Sequence, residues 1–279
     1  MNKLLVEIFS GHKKPCHTEL EHAVREIKKF QKNHPNTKDQ GYYDRLQRAS
    51  SWLAKAKKTG ADPEAKFIYS WIALNAMCGI RQEVLGTDWW KAEIRSLHQL
   101  NRTQSDDKVS GELEWFLWRI CGLDIGGKTL RSVIEDCWPD IDSVLMSRYI
   151  MSFYWNGSWR TEADINKRRD ASLGIAKVAI GLASDREKVF QALCEIVIWR
   201  LRTLRNQLFH GCATDVHSKR RGAGESEIEA GSRLLEDLNW SFLVLMASAS
   251  GREMYWPPTP YPRVGSPQHK PLDVSWLPK

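Results

Sequence analysis

The stretch Leu201-Arg-Thr-Leu-Arg-Asn-Gln-Leu-Phe-His-Gly211 brings arginine, asparagine and histidine together at the end of a long apolar segment. Upstream of it, apolar residues recur at spacings of three and four from Val189 to Leu208. This spacing is typical of an amphipathic α-helix. We therefore predict one regular helix of about seven turns, with the Arg/Asn/His group in its last turns.

Both ends of this predicted helix carry boundary signals. Ser184-Asp-Arg-Glu187 has the composition of a capping box, and Gly211 suits the left-handed conformation that often ends a helix. At about 100° per residue, Asn206 and His210 share one face. Arg205 lies about 140° around the helix from His210, so its long side chain or a frayed last turn must bring the two together.

A purely structural explanation of this pattern competes with a functional one. Basic side chains in a last helical turn interact favourably with the helix dipole, and glycine ends many helices. An Arg followed by His after four arbitrary residues is expected by chance about 0.6 times in a chain of this composition. Requiring Asn directly after the Arg lowers that expectation to roughly 0.02, which favours a functional interpretation.

Arg205-Asn206-x-x-x-His210 resembles the R-x(4-6)-H signature of HEPN domains, all-α modules that are often metal-independent ribonucleases. Two other stretches resemble the Apea-like branch of this family: Lys66–Gly79 is similar to its early core helix, and Trp256–Pro262 to its C-terminal tail. The resemblance covers roughly residues 62–79 and 184–262, whereas residues 86–170 match nothing that we recognise.

The resemblance implies a homodimer that brings two copies of the motif face to face. It also implies that Arg205, His210 and Asn206 are the catalytic residues. RNA carries its own 2′-hydroxyl nucleophile, so a cleaving enzyme needs a base, an acid and a cation for the phosphate. An unperturbed histidine pKa of about 6.5 suits either proton-transfer role. We expect one His210 to start neutral and its mate protonated, with 2′,3′-cyclic phosphate and 5′-hydroxyl products.

Basic residues near the motif are candidate contacts for RNA phosphates. The chain has 41 Lys and Arg against 34 Asp and Glu, a net charge of +7, which attracts polyanions without proving that one binds. Part of this charge lies after Gly211 in a Gly-rich segment that we predict to be a mobile basic loop. Basic residues cluster as Lys167–Arg169, as Lys219–Arg221, and as Arg200, Arg202 and Arg205 along the motif helix; charge runs are more often solvated faces, which is the alternative for all three clusters. The candidate RNA-binding residues are Arg202, Lys219, Arg220 and Arg221.

The rest of the chain is also helical in pattern, and no period-two alternation persists. We predict an all-α, HEPN-like helical bundle with no sheet of three or more strands. The motif helix packs against a last long helix over 225–249 and has an antiparallel neighbour over 162–182. We divide the chain into an N-terminal helical extension (1–60), a HEPN-like domain (61–262) with a helical insertion at about 86–170, and a Pro-rich tail (263–279).

Further helices are predicted over 18–33, 42–58, 89–99, 108–120, 129–137 and 140–155. Another begins with Asp62 as its N-cap and Pro63 in its first turn, and it is apolar nearly all round. We expect that helix at the centre of the core. Asn75 is its polar exception, and we expect a buried amide that forms structural hydrogen bonds rather than an active-site residue.

Tryptophans crowd the region between residues 89 and 159. Within it, Phe153–Arg160 offers rings on which unpaired bases could stack. Packing in the core or in an interface is the favoured use of these rings.

The sequence predicts no metal and no cofactor. Six cysteines are scattered without a CxxC, several of them on apolar helix faces where buried thiols are common. The segment His12–His17 lacks a second ligand pair at zinc-like spacing, and no nucleotide-binding or hydrolase motif is present. With no long apolar run and no cleavable leader, we expect a cytoplasmic protein that does not bind a membrane.

Two classes of function remain. The first is a metal-independent endoribonuclease of the toxin or antiviral-defence kind, a class in which an antitoxin or other regulatory partner can restrain the activity. The second is a HEPN-like module that dimerises, or binds nucleic acid or nucleotides, without cutting, because a fold does not oblige catalysis.

Overall fold

The computed structural model describes residues 16–33, 40–80, 82–100, 111–151, 161–182, 185–209, 224–249 and 256. Helices make up 87% of these residues, and none of these residues lies in a strand. The predicted all-α class is therefore confirmed for the described part of the chain. None of the described helices is long and apolar enough to cross a membrane.

The helices fall close to the predicted segments. In chain order they are α1 (His17–Asn33), α2 (Gln40–Lys58), α3 (Pro63–Cys78), α4 (Gln82–Leu85), α5 (Asp88–Leu100), α6 (Gly111–Leu123), α7 (Lys128–Asp136), α8 (Trp138–Met146), α9 (Glu162–Gly181), α10 (Arg186–Leu193), α11 (Arg202–Phe209) and α12 (Glu225–Ser248), with a π-helical segment, Cys194–Leu201, joining α10 to α11.

The predicted helix over 140–155 is wrong at its C-terminal end, because α8 stops at Met146. Ser147 takes an extended conformation with ψ of 121°, which breaks the helical path. The Ser147 hydroxyl then accepts a hydrogen bond of 3.3 Å from the backbone amide of Tyr149, which closes a local turn instead of a further helical turn.

Helix α3 is central to the core, as predicted. Asp62 caps it by accepting a 3.0 Å hydrogen bond from the amide of Ala65, and Pro63 occupies its first turn. Helices α2, α6, α11 and α12 pack around α3. Asn75 is nevertheless exposed, so the prediction of a buried amide is wrong.

Helix α12 connects the core helix to the motif helix. Asn239 is fully buried on α12 and donates a 2.7 Å hydrogen bond from its side-chain amide to the carbonyl of Ser70 on α3. At Gly231, α12 approaches α11 so closely that a Cβ atom would lie 2.5 Å from Cδ2 of Leu204. The predicted packing of the motif helix against the last helix is therefore present, and it depends on the missing side chain of Gly231.

Helices α1 and α2, which belong to the predicted N-terminal extension, share the core with the other helices. Leu20 and Ile27 of α1 are buried in the same apolar cluster as α3 and α12. The hydroxyl of Tyr42 on α2 donates a 2.6 Å hydrogen bond to the carbonyl of Met246. Trp256, from the stretch that resembles the family's C-terminal tail, is buried against the ring of Trp115 with the ring centroids 5.7 Å apart.

Candidate active site

The motif lies on the second arm of a helical hairpin formed by α9 and α10. Helix α9 begins with a capping box in which Thr161 and Asp164 bond each other's backbone amides. It packs against α10 as the predicted antiparallel neighbour. The N-cap of α10 is Asp185, which accepts hydrogen bonds from the amides of Glu187 and Lys188 at 3.0 and 3.3 Å.

The predicted capping box with Ser184 as N-cap is therefore wrong. Because the carboxylate of Asp185 already reaches two of the free amides in the first turn, the helix begins one residue later than expected. Glu187 then occupies the second helical position, where it adds negative charge near the positive end of the helix dipole. Ser184 itself lies outside the described residues.

The motif helix, by which we mean the continuous path Arg186–Phe209, is not regular. Its middle third, Cys194–Leu201, is a π-helix, and the amide of Arg202 bonds the carbonyl of Val197 five residues earlier. All eight residues of this segment are buried. A π-helix holds more residues per turn than an α-helix, so positions before and after it are not related by 100° per residue. The prediction of one regular helix is corrected accordingly.

Arg205 and Asn206 lie beyond the π-helical segment, in the α-helical last third. The Nη1 atom of Arg205 donates a 3.0 Å hydrogen bond to Oδ1 of Asn206. Its guanidinium carbon lies 4.4 Å from the centroid of the Phe209 ring. The cation is thus held on one side by an amide oxygen and on another by an aromatic face, which carries negative charge density.

The guanidinium of Arg205 retains hydrogen-bonding capacity. Its Nε atom is buried and has no hydrogen-bond partner within the described part of the chain. The Arg205 side chain as a whole is half-buried, whereas 51% of Phe209 is exposed. An arginine fixed in this way is suited to binding an anion that approaches past Phe209. Phe209 was not among the predicted site residues, although its position four residues after Arg205 on a helix was a detectable signal.

Several predicted site residues lie outside the described part of the chain. His210 follows directly after Phe209, the last residue of α11. Gly211 and the basic loop residues come after it. Arg202 is described, and it is half-buried at the start of α11. The predicted residues that lie outside are His210, Gly211, Lys219, Arg220 and Arg221.

A second polar group, which the sequence did not predict, joins α9 to the π-helical segment. Glu195 is buried and accepts hydrogen bonds from the guanidinium of Arg168 and, at 2.9 Å, from the hydroxyl of Ser172. The Nη2 atom of Arg200 donates a 3.1 Å hydrogen bond to the same hydroxyl. We call Arg168, Ser172, Glu195 and Arg200 the hairpin cluster.

A position on a solvated face was one interpretation of Arg200 from the sequence, and the structure contradicts it. Only 1% of its surface is exposed. The pKa of Arg200 is lowered to about 10, mainly by burial; the charge of Glu195 opposes this shift, and the charges of Arg168 and Arg169 contribute to it. At neutral pH the Arg200 guanidinium therefore still carries its positive charge inside the protein.

The described tryptophans serve mainly as core residues. Trp90 and Trp115 are buried with ring centroids 5.7 Å apart. Trp118 is half-buried between the ring of Phe190 and the guanidinium of Arg186, which lies 3.7 Å from the Trp118 ring centroid. The favoured prediction of core packing is confirmed for these rings. The stretch 153–160, proposed as a stacking surface for bases, lies outside the described residues.

Among the residues that the structure describes, no group of three or more His, Cys, Asp and Glu side chains is arranged to hold a metal ion. Of the described cysteines, Cys78, Cys121, Cys137 and Cys194 are buried free thiols and Cys16 is an exposed one. The prediction of buried thiols is confirmed for these four.

Comparison of the whole chain with protein-family models, with curated proteins and with solved structures finds no match in any of the three.

Proposed function

We propose that the chain is a metal-independent endoribonuclease of the toxin or defence type that acts as a homodimer. The observation that carries the proposal is the arrangement of Arg205. Its guanidinium is bonded to Asn206, lies against the ring of Phe209, and keeps a buried Nε donor without a partner among the described residues. A cation fixed on two sides with a donor to spare is suited to a phosphate oxygen.

In this proposal His210, the next residue after α11, transfers the protons. The 2′-hydroxyl oxygen of RNA attacks the adjacent phosphorus, and its proton passes to the neutral His210 of one subunit. The bond from phosphorus to the 5′-oxygen breaks, and that oxygen takes a proton from the protonated His210 of the other subunit. The products are a 2′,3′-cyclic phosphate and a 5′-hydroxyl. Arg205 stabilises the charge that accumulates on the phosphate oxygens.

Asn206 and the neighbouring basic residues have supporting roles in this proposal. The side-chain oxygen of Asn206 holds Arg205, which leaves its amide nitrogen for a phosphate oxygen or for the imidazole of His210. The RNA strand on either side of the cut is held by charge. Its proposed contacts are Arg202, Lys219, Arg220 and Arg221.

The homodimer is part of the proposal because one imidazole cannot begin as both base and acid. The exposed ring of Phe209, next to the motif, supports a contact between subunits at this place, because a half-exposed aromatic residue gains stability when a partner covers it. Light scattering at micromolar concentration should give about twice the chain mass of 32.2 kDa. A mass equal to that of one chain would contradict the dimer.

A non-catalytic module that dimerises or binds nucleic acid or nucleotides is the second candidate. It is favoured by the same Arg205, because a half-buried arginine beside an exposed aromatic ring also suits binding alone. A ribonuclease assay on wild type, Arg205→Ala and His210→Ala separates the two. If the chain is a ribonuclease, wild type cleaves RNA and both variants do not. If it is a binding module, none of the three proteins cleaves RNA.

For the enzyme, we further propose a cytoplasmic location and a regulatory partner of the antitoxin kind. A toxin that cleaves cellular RNA is tolerated only while its activity is restrained.

A further inference from the structure

The motif chemistry leaves the buried Arg200 without a role. Its Nη2 atom bonds the hydroxyl of Ser172, but its Nε and Nη1 atoms have no hydrogen-bond partner within the described residues. Only 1% of Arg200 is exposed. Buried donors are nearly always bonded, and an unbonded donor on a charged group is especially unfavourable. Two such donors on one guanidinium therefore call for a ligand or another explanation.

The groups around Arg200 also carry more positive than negative charge. Glu195 is the one carboxylate of the hairpin cluster, and both of its oxygens are occupied, one by Arg168 and one by Ser172. Arg169, whose charge also acts on Arg200, bonds Asn166 and has no carboxylate partner in the described part of the chain. The Nε atom of Arg169 is buried and unbonded as well. Among the residues that the structure describes, Glu195 is thus the one carboxylate near Arg168 and Arg200, and Arg169 adds a third positive charge that acts on Arg200.

The group extends from the core to the surface. Arg200 and Glu195 are buried, whereas Arg168, which binds the same carboxylate, keeps 32% of its side-chain surface exposed. Arg169 is also partly exposed on α9. Arg168 and Arg169 are therefore the members of this group that an anion in solvent can contact, whereas Arg200 adds its positive charge from the buried end.

We propose that Arg168, Arg169 and Arg200 form a binding site for a phosphate group, separate from the Arg205 motif. Guanidinium groups present paired N–H donors that match two oxygens of one phosphate. Arg200 and Arg169 both keep unbonded N–H donors, although the Nη2 atom of Arg200 is already bonded to Ser172. The phosphate makes up for the missing negative charge and for the missing hydrogen-bond partners.

The backbone of a single RNA strand is the source of phosphate that we favour, and this choice rests on the proposed function. Arg200 precedes Arg205 by five residues on the continuous motif helix, a rise of roughly 7 Å along its axis. A strand whose phosphate is held at the hairpin cluster is long enough to reach the motif. The phosphate site itself does not require that the motif cleaves RNA.

The test measures binding of a fluorescein-labelled single-stranded RNA that is 2′-O-methylated throughout, so that cleavage cannot interfere. Anisotropy titrations between 50 and 200 mM KCl compare wild type with Arg169→Gln and Arg200→Lys. Arg95→Gln is the matched control, because Arg95 is exposed and lies on α5, outside the cluster.

If one phosphate contact is lost in Arg169→Gln, the slope of the logarithm of the binding constant against the logarithm of the salt concentration should become less negative by about 0.7. The loss of affinity between 50 and 200 mM then becomes about threefold smaller than in wild type. Arg200→Lys should bind more weakly than wild type at 50 mM, because lysine keeps the charge but not the forked donors. Arg95→Gln should behave as wild type. Circular dichroism identifies a variant that fails to fold. If Arg200→Lys fails to fold, the measurements on Arg169→Gln alone still test the site.

A second arm identifies the source of the phosphate. Melting of wild type, Arg169→Gln and Arg200→Lys is followed with pyrophosphate at millimolar concentration. If pyrophosphate raises the Tm of wild type only, the phosphate site is supported. If RNA binding is at the same time equal in Arg169→Gln and Arg95→Gln, RNA is not the source of the phosphate. If neither RNA nor pyrophosphate distinguishes the cluster variants from Arg95→Gln, the site is disproved. If wild type never cleaves RNA but the binding results hold, the proposed ribonuclease fails and the phosphate site stands.

Discussion

Arg205 donates a 3.0 Å hydrogen bond from Nη1 to the Oδ1 atom of Asn206, its neighbour in the sequence. Adjacent residues on an α-helix point about 100° apart, so the bond requires the Arg205 side chain to bend around the helix towards the face of Asn206. The contact therefore turns the cation towards the Asn206 side of the helix, which is the side on which the sequence spacing predicts His210.

Replacing Arg205 with alanine should reduce the rate of RNA cleavage by at least ~10²-fold, because the phosphate charge is then no longer stabilised. The free energy of unfolding should fall by less than about 1 kcal/mol, since the side chain is half-buried and its contacts are one hydrogen bond and one ring. Arg95→Ala, which removes an exposed arginine elsewhere, should cleave as wild type does. Cleavage rates of the three proteins, together with urea denaturation, check both expectations. Equal rates in Arg205→Ala and Arg95→Ala would remove Arg205 from the site.

Asn206 should affect the rate through Arg205, and the two substitutions Asn206→Ala and Asn206→Asp should differ. Alanine removes the oxygen that positions the guanidinium. Aspartate keeps that oxygen but adds a negative charge that pairs with Arg205 and repels the phosphate. We expect about a tenfold lower kcat/KM for alanine and a larger loss for aspartate, because weakening a positioned contact costs less than neutralising the cation. Steady-state kinetics on one RNA substrate would decide this, and a fully active Asn206→Asp would show that Asn206 does not act on Arg205.

The close approach of α12 to α11 predicts opposite effects for two glycine substitutions. Gly231→Ala places a Cβ atom 2.5 Å from Cδ2 of Leu204 and should lower the free energy of unfolding by about 1–3 kcal/mol. Gly174→Ala on α9 meets nothing within 4 Å and should raise it by about 0.5–1 kcal/mol, because alanine is the better helix former. Urea denaturation of both variants measures the difference. Equal stability of the two would mean that the helices are farther apart than described.

The buried thiols should be chemically silent in the folded protein. Burial raises the pKa of Cys78 to about 12, and it raises the pKa of Cys121 and Cys194 strongly as well. Since the thiolate is the reactive form, a raised pKa keeps these groups protonated and slow to react at pH 8. Alkylation followed by mass spectrometry should find Cys16 labelled first and these three only after denaturation. Rapid labelling of Cys194 in the native protein would contradict the packing of the motif helix.

The sequence was sufficient for the helical class and for most helix positions, because these depend on local signals. The apolar spacing of three and four and the Asp62-Pro63 cap survive in the structure. The start of the motif helix was off by one residue, since Ser184 and Asp185 both have side chains that can cap a helix, and it is Asp185 that accepts hydrogen bonds from two first-turn amides.

The π-helical segment could not be predicted from the apolar pattern. All eight residues of Cys194–Leu201 are buried, and six of them are apolar. The two charged residues, Glu195 and Arg200, are also buried, so the pattern has no exposed face from which the helical period could be read. In the structure this segment packs against four helices that are not its immediate neighbours in the chain, namely α6, α8, α9 and α12.

The same limitation applies to Arg200 and Asn75. A charged residue in sequence suggests a solvated face, but Arg200 is buried because Ser172 lies within hydrogen-bonding distance after the hairpin closes. Asn75 lies in an apolar helix that is central to the core, but its side chain is exposed. Whether a polar side chain is buried depends on which helices pack around it, and no local pattern carries that information.

The most direct measurement of the central claim is cleavage, in EDTA, of an RNA compared with the same RNA methylated at the 2′-oxygen next to the cut. If His210 transfers protons to and from the RNA's own hydroxyl, the unmodified RNA should be cut at full rate in EDTA and leave a 2′,3′-cyclic phosphate. The methylated RNA should remain intact, because it lacks the attacking group. Cleavage of the methylated RNA, or loss of activity on the unmodified RNA in EDTA, would contradict the account.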